Sequence, residues 1–314
     1  MHTSPIAGLN AGKTGKSSQD WVAKQIATGS SNSANDMQDV RFYGQCGVRT
    51  GGAAPLVVHF HAGAFVAGSL ETGACVPRML AAAGAVVMSL DYPLAPAHPF
   101  PQAVEAGYAA LLWAAKAKQR LAGRGAPVVV AGEEAGGNLA AAVALMARDR
   151  QEPKLAGQIL LSPMLDPCMG TDSLRCADAG PVGCTWADDW RQYLGHLGNE
   201  SHPYAAPGKA LRLAGLPPTL LLTALDDPLP DETLAYADRL RAFGRLVHAA
   251  VLPGPTGWPA TYLQGTDQPV SWSAVVQNQF SGFFNELSKS APPDKSAHQP
   301  SPSASSASTS LSIF

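Results

Sequence analysis

The segment VVVAGEEAGGNLAAA at residues 128–142 combines residue types and a spacing that could do chemistry. A run of β-branched residues ends at Gly132, and an alanine-rich helical stretch begins four residues later at Gly136. In the pattern G-x-S-x-G, such a strand, sharp turn and helix presents a serine nucleophile at the end of a sheet. Here Glu134 holds the position of that serine. The sequence therefore leaves three alternatives: an unusual nucleophile, a nucleophile elsewhere, or a fold that has lost this chemistry.

Alternating strand-like and helix-like runs surround this turn and would position it. The inner strand-like runs are continuously apolar, which is typical of strands buried on both faces of a parallel sheet. The repetition of strand and helix predicts a mostly parallel, doubly wound α/β sheet over residues 37–287. We predict strands at 39–44, 55–61, 85–92, 127–132, 157–163, 218–225 and 246–252, and helices at 71–83, 102–119, 136–149, 231–243 and 273–288.

Three segments depart from this alternation. Residues 1–36 are mainly small and polar, with a predicted helix at 20–27 that we assign to a cap. Residues 164–215 contain no clear strand and are predicted to be a cap insertion across the C-terminal edge of the sheet, where ligands bind in such folds. Residues 288–314 are rich in Ser, Pro and Ala, and this composition predicts a disordered tail because it cannot bury enough apolar surface.

Four stretches, in order along the chain, resemble motifs of the hormone-sensitive-lipase-type carboxylesterases. HFHAGAFVAGS (59–69) resembles their HGGG loop, and DYPLAPAHPFP (91–101) resembles DYRLAPEHPFP. GEEAGGNLA (132–140) resembles GDSAGGNLA, and ALDDPLPDE (224–232) resembles the segment around their catalytic aspartate. The resemblance covers roughly residues 39–287 and implies an α/β-hydrolase fold with a helical cap.

The resemblance also implies a catalytic triad, in which histidine takes the proton of serine and aspartate orients the histidine. It places the nucleophile position at Glu134 and the triad acid at Asp227, for which a loop carboxylate without chemistry is the alternative. The family histidine follows the last strand. Thr256 or Gly257 occupies that place here, depending on a one-residue gap, and neither is a general base near neutral pH.

An altered oxyanion loop follows from the same resemblance. His61, Ala62, Gly63 and Ala64 stand where the family has HGGG, and the amide of Ala135 completes the implied hole. Because the hole uses backbone amides, the extra methyl groups remove no donor. The resemblance gives the histidine of this loop an architectural role. We expect the elbow glutamate to be an ionised carboxylate that accepts hydrogen bonds from these amides at the helix N-terminus and excludes an ester carbonyl.

These departures favour a catalytically inactive protein of esterase lineage that keeps a pocket for binding or scaffolding. Two enzymatic alternatives stay open: carboxylate-based chemistry at Glu134, and residual hydrolysis of carboxylic esters. The plant gibberellin receptors look like these esterases, lack the catalytic histidine and bind a small acid under a cap, so they offer a precedent at the level of the fold. We expect a small ester-like or acid-like molecule as the ligand, and a homo-oligomer is compatible with the sequence.

The composition of the chain limits the other classes of partner that it could bind. With 22 basic and 24 acidic residues and no basic stripe, a role in binding nucleic acid has little support. No apolar run approaches the roughly 20 residues that span a bilayer, and the N-terminus has no apolar signal region, so we expect a cytoplasmic location. The segment GLNAGKTGKS (8–17) lacks the glycine spacing of a phosphate-binding loop, and we expect no cofactor.

The five cysteines form no ligand pattern. Cys168, Cys176 and Cys184 fall at even spacing in one loop-rich segment, but no C-x-x-C pair and no histidine at ligand spacing joins them. An odd count without a signal peptide also argues against a disulfide framework. We expect no metal site and structural or incidental roles for these thiols.

Overall fold

One sheet of eight strands runs through the part of the chain that the structure describes. The structure is a computed structural model, and it describes residues 20–27, 37–46, 52–168, 170–175, 180–196, 198–263 and 270–290. The strands are β1 (Asp20–Ala27), β2 (Met37–Tyr43), β3 (Leu56–Phe60), β4 (Val86–Leu90), β5 (Val128–Glu133), β6 (Gly157–Leu161), β7 (Thr219–Ala224) and β8 (Val247–Leu252).

The sheet is mostly parallel, as the alternation of strand and helix predicted. Its order is β1-β2-β4-β3-β5-β6-β7-β8. Strand β2 is antiparallel to both of its neighbours, and every pairing from β4 to β8 is parallel. All residues of β3, β4, β5 and β6 are buried, because helices cover both faces of these continuously apolar strands.

The helices follow the strands at the predicted places. They are α1 (Cys75–Ala82), α2 (Gln102–Ala122), α3 (Ala135–Asp149), α4 (Asp172–Arg175), α5 (Gly180–Leu194), α6 (Pro230–Ala242) and α7 (Ser273–Ser290). The described residues of the 164–215 insertion contain no strand and form α4, α5 and two short 3₁₀ turns, at 199–201 and 207–209.

The predicted cap helix at 20–27 is wrong, because this segment is strand β1. It pairs antiparallel with β2, from Asp20 opposite Tyr43 to Ala27 opposite Met37. The β-branched and aromatic residues of DWVAKQIA suit a strand, and the free edge of β2 supplies hydrogen-bond partners that a local helical pattern cannot reveal. The sheet therefore begins before residue 37, and the predicted boundary between a polar segment and the core at 36 is also wrong.

The predicted C-terminal tail begins too early. Residues 288–290 are the last residues of α7, which ends at Ser290. The remainder of that tail, residues 291–314, lies outside the described residues, as do residues 1–19 and 28–36 of the N-terminal segment.

A sharp turn joins β5 to α3 and holds Glu134 at its centre. Glu134 has φ 55° and ψ −116°, and its N–H donates to the carbonyl of Leu161 at 2.9 Å. The flanking glycines allow a close approach of backbones. A Cβ on Gly136 would lie 2.0 Å from the carbonyl oxygen of Phe60, and one on Gly132 would lie 2.2 Å from that of Gly136. The turn thus keeps the geometry of a nucleophile elbow.

Substitution of Gly136 tests whether this close packing fixes the turn. We expect Gly136→Ala to lower the free energy of unfolding by about 3 kcal/mol, because the added methyl group would meet backbone atoms that cannot rotate away. Gly282→Ala on α7 is the matched control, since a Cβ there meets nothing within 4 Å. The control should be neutral or stabilising by up to about 1 kcal/mol. Equal urea midpoints for the two variants would contradict the packing described here.

Candidate functional site

The carboxylate of Glu134 lies against the loop that follows β3. Its Oε2 accepts hydrogen bonds from the backbone N–H groups of Gly63 at 2.6 Å and Ala64 at 3.0 Å. The residue is only 3% exposed. The contact between the elbow carboxylate and the amides of the oxyanion loop, predicted from the sequence, is therefore present.

The conformation of the loop brings its amides together. Gly63 has φ 134°, and a Cβ there would lie 2.1 Å from the carbonyl oxygen of Ala67, so only glycine fits this position. The carbonyl of Gly63 accepts from the N–H groups of Val66 and Ala67, which closes a tight turn. Ala64 itself has φ 49°. Its methyl group is thus accommodated at the cost of an uncommon backbone conformation.

His61 supports this loop through its surroundings. Its ring stacks on Tyr92 with centroids 4.3 Å apart, and its Nδ1 lies 2.7 Å from the carbonyl oxygen of Ala62. The hydroxyl of Tyr92 donates to the carbonyl of His61 at 2.8 Å. Burial lowers the pKa of His61 to about 4, so the ring is neutral near pH 7. These contacts fit the architectural role that the resemblance implied.

A second elbow glutamate, which sequence reasoning missed, anchors the start of the same loop. Glu133 Oε2 lies 2.8 Å from Nε2 of His59, and its Oε1 accepts from the N–H of Ala62 at 3.2 Å. His59 Nδ1 lies 2.9 Å from the hydroxyl of Ser89 on β4. Glu133 and Glu134 therefore hold three successive amides of the loop.

Burial dominates the electrostatics of Glu134. Burial raises the pKa of this carboxyl group above its ordinary value, and hydrogen bonds from the amides of Gly63, Ala64 and Ala135 only partly oppose that effect. The neighbouring charge of Glu133 raises the pKa further. The sequence implied that these amides are the donors of an oxyanion hole, and in the structure those of Gly63 and Ala64 donate to a side chain of the protein itself.

Asp227 is engaged by hydroxyl and amide groups. Its Oδ2 accepts from the hydroxyl of Ser162 and from that of Thr223 at 3.0 Å, and its Oδ1 accepts from the N–H of Leu229 at 3.0 Å. Burial raises the pKa of Asp227 to about 7. Ser162 lies just after β6, is buried and has φ 40°. Among the described residues, its only charged hydrogen-bond partner is the carboxylate of Asp227.

Thr256 and Gly257 are held by the preceding aspartate, Asp226. The N–H and hydroxyl of Thr256 donate to Asp226 at 2.7 and 2.9 Å, and the N–H of Gly257 donates at 2.9 Å. Although partial burial opposes them, these hydrogen bonds keep the pKa of Asp226 below its ordinary value. Thr256 is buried and Gly257 is exposed with φ 68°. The sequence interpretation singled out Asp227 and missed this role of Asp226.

Tyr262 is a buried aromatic residue whose hydroxyl interacts electrostatically with Asp227. Its ring is fully buried and packs on Trp258 and Trp272, with centroids 4.9 and 6.1 Å apart. Burial and the charge of Asp227 raise the pKa of Tyr262 well above its usual range, with smaller contributions from Glu133 and Glu134. Only the aromatic density of the segment GWPATY, after the last strand, could have indicated this residue from the sequence.

Among the residues that the structure describes, no histidine ring is hydrogen-bonded to Glu134 or Asp227. Besides His59 and His61, the described histidines have partners elsewhere: His98 with Gln102, His202 with Tyr204, and His248 with Glu286. His196 contributes a backbone N–H to the carbonyl of Leu194. The side chains of His98, His202 and His248 therefore take part in contacts outside the elbow.

Helix α5 covers the oxyanion loop with aromatic side chains. Phe65, next to Ala64, stacks on Tyr193 with centroids 4.0 Å apart and planes 10° apart, and it lies 4.8 Å from the ring of Trp190. All three aromatic residues are buried. The cap insertion thus packs directly on the loop whose amides Glu134 occupies.

Two further findings concern metals and membranes. Within the described ranges, no group of three or more His, Cys, Asp or Glu side chains could hold a metal ion. None of the helices described above combines the length and apolar character that a membrane crossing requires.

Comparison with known proteins gives consistent matches. A family model described as the alpha/beta hydrolase fold matches residues 57–256. Esterase LipI of Mycobacterium tuberculosis is 38% identical over 196 residues, which cover 61% of each chain. Gibberellin receptor GID1B of Arabidopsis thaliana is 32% identical over 214 residues, which cover 64% of this chain and 59% of the receptor. The chain therefore matches less than two thirds of the length of either relative.

A solved structure extends the match over more of the chain. The hyperthermophilic esterase from the archaeon Pyrobaculum calidifontis superposes with a TM-score of 0.73 at 34% identity, covering 86% of both chains. Together with the sheet order, these matches confirm the α/β-hydrolase fold and the esterase lineage that the motifs predicted.

The raised pKa of Asp227 predicts a specific dependence of stability on pH. An acid whose pKa rises on folding makes the folded state less stable as the pH rises from its unfolded pKa, here 3.8, through its folded pKa, here about 7. We therefore compare the free energy of unfolding of Asp227→Asn with that of the unmodified chain. We expect the variant's value, relative to the unmodified chain, to rise by about 2–3 kcal/mol from pH 5 to pH 8. Urea unfolding of both proteins at these two pH values measures the change.

Asp226→Asn is the matched control for this experiment. Because the pKa of Asp226 lies below its ordinary value, this group stays ionised in both states between pH 5 and pH 8. Its own titration therefore adds no pH dependence in this range, and the loss of its charge beside Asp227 should leave only a change much smaller than that of Asp227→Asn. If the effect of Asp227→Asn were equally independent of pH, the buried state of Asp227 described here would be wrong.

Proposed function

The chain belongs to the α/β-hydrolase-fold family, and we propose that it is a non-hydrolytic member of esterase lineage. In this proposal it has lost the nucleophile and base of the triad and acts by binding a small ester-like or acid-like molecule. The observation that carries the proposal is the occupation of the Gly63 and Ala64 amides by the carboxylate of Glu134.

An occupied oxyanion hole opposes ester hydrolysis for a direct physical reason. Such a hole works by aiming free donors at the oxygen on which negative charge develops, and the loss of one donor costs about 10²–10³ in turnover. Here two amides are already satisfied by a carboxylate oxygen. An ester carbonyl would have to displace it, and a developing oxyanion would meet a negative charge when Glu134 is ionised.

The residues around the hole also argue against a displaced nucleophile. Ser162 is buried, and its hydroxyl donates to Asp227 without an intervening imidazole. Thr256 carries a hydroxyl that donates to Asp226 and cannot accept a proton as histidine does. Acyl transfer by serine needs a base that takes its proton, so neither arrangement supplies the activated pair.

Binding without turnover is supported by the relatives. Matches named as gibberellin receptors occur beside matches named as esterases. One fold family thus includes proteins named for ligand reception as well as proteins named for hydrolysis. On this analogy, a small organic molecule under the cap is the ligand class that we propose for this chain.

Hydrolysis of p-nitrophenyl butyrate tests the proposal. We expect the unmodified chain and Glu134→Gln to give no burst and no saturable release of p-nitrophenol, because glutamine still fills the hole. Glu134→Ala frees the two amides, and we expect it to exceed Glu134→Gln in slow background hydrolysis by about tenfold, since an open hole retains part of the rate enhancement without a triad.

Other outcomes separate the alternatives. Saturable turnover by the unmodified chain that is lost in both Glu134→Gln and Glu134→Ala would favour carboxylate-based chemistry at Glu134. Turnover that survives both substitutions would place an active site elsewhere.

A thermal-shift series tests the binding half of the proposal. Some short-chain carboxylic acids or their esters should raise the melting temperature, since a ligand at 100 times its Kd stabilises by about 2.7 kcal/mol. A series without any shift would contradict it.

A further inference from the structure

A cysteine and a lysine form a polar pair away from the elbow. Nζ of Lys209 lies 3.1 Å from Sγ of Cys168 and 3.5 Å from Oδ1 of Asp166. Cys168 is an exposed free thiol, and the Lys209 side chain is 28% exposed. Reagents in solution therefore have access to both groups.

The two loops that carry this pair are fixed by buried partners. The N–H groups of Leu165 and Asp166 both donate to the buried carboxylate of Glu232. The N–H of Gly208 donates to the carbonyl of Leu165 at 3.0 Å, and a Cβ on Gly208 would come within 2.8 Å of that same oxygen. Close backbone approach thus ties the loop of Cys168 to the loop of Lys209.

Helix α6 completes the support from the other side. The guanidinium group of Arg239 donates to the carbonyl groups of Gly208 and Ala210, on either side of Lys209. On the other loop, the N–H of Cys168 donates to Asp166 at 2.8 Å. The amine and the thiol are therefore held near each other by the fold, independently of any contact between them.

Two other thiols, those of Cys46 and Cys75, are in a different environment. Burial raises the pKa of Cys46 and of Cys75 to about 11, so both are protonated near neutral pH. The thiolate is the form that peroxides oxidise, so these two protonated thiols are poor targets. Exposure and the neighbouring lysine set Cys168 apart from these two cysteines.

We propose that Cys168 and Lys209 form an oxidation-sensitive pair, which a hydroperoxide converts into a covalent sulfenamide crosslink. In the first step the sulfur of Cys168 attacks one oxygen of hydrogen peroxide. An S–O bond forms, the O–O bond breaks, and water leaves, so that sulfur is oxidised to sulfenic acid while the peroxide is reduced.

In the second step the amine of Lys209 closes the crosslink. After losing its extra proton to solvent, the amine attacks the sulfur with its lone pair. The S–N bond forms, the S–O bond breaks, and the hydroxide leaves as water with a proton from nitrogen. Overall one thiol, one amine and one hydrogen peroxide give one sulfenamide and two waters, and the protein loses two hydrogen atoms. The product would join the loop after β6 to the loop before β7.

Peptide mapping of the peroxide-treated full chain tests this proposal. After digestion without reductant, mass spectrometry should find the Cys168 and Lys209 peptides joined, with a mass two hydrogen atoms below their sum, and dithiothreitol should separate them. Lys209→Arg keeps a cation beside the thiol but removes the amine. In this variant the crosslink should be absent, and Cys168 sulfenic acid should accumulate as its dimedone adduct.

The rate of oxidation supplies a second readout. Lys209→Met removes the cation as well as the amine, and we expect the dimedone labelling of Cys168 after peroxide to be about twofold to fivefold slower than in Lys209→Arg, the size expected from a solvent-accessible ion pair. Both variants change one partly exposed side chain and should keep the melting temperature of the unmodified chain. A disulfide from Cys168 to another cysteine, or oxidation of Cys168 no faster than that of Cys46 and Cys75, would overturn the proposal.

Discussion

A buried carboxylate that binds the amides of a neighbouring loop is the interaction on which the site of this protein depends. Glu134 occupies a turn with positive φ, which costs on the order of 1–3 kcal/mol for a residue other than glycine. Its burial adds a desolvation cost, visible as a raised pKa. Charge-assisted hydrogen bonds contribute about 1.5–3 kcal/mol each, and the amides of Gly63 and Ala64 supply two of them. The turn and the loop therefore stabilise each other.

Two pairs of adjacent acidic residues fix the loops around this interaction. In the first pair, Glu133 contacts His59 and the N–H of Ala62, while Glu134 accepts from the N–H groups of Gly63 and Ala64. In the second, Asp226 holds the segment after β8, while Asp227 accepts hydrogen bonds from the hydroxyl groups of Ser162, just after β6, and Thr223 on β7. Each pair thus joins separate loops at the C-terminal edge of the sheet. The four carboxyl groups thus fix the loops that meet at this edge of the sheet.

The sequence predicted those parts of the structure that local pattern determines. Continuous apolar runs predicted the buried strands, and the glycines around residue 134 predicted the elbow, because both depend on neighbours in the chain. The contact of Glu134 with residues 63 and 64 was also predictable, since the elbow and the oxyanion loop converge at one edge of the sheet. Strand β1 was not, because its pairing partner is the edge of β2 and not a local feature. Asp226 and Tyr262 were missed because their roles depend on which loops pack together.

The hydrogen bonds from Gly63 and Ala64 to Glu134 can be observed directly by NMR. Scalar couplings across hydrogen bonds, measured on deuterated, ¹³C,¹⁵N-labelled protein, connect an amide nitrogen to the carboxylate carbon that accepts its proton. We predict cross-peaks from the amides of Gly63 and Ala64 to the side-chain carboxylate carbon of Glu134. The bond from Ala62 to Glu133 serves as an internal positive control. A spectrum with the control cross-peak but without either cross-peak to Glu134 would contradict the contact between Glu134 and the loop after β3.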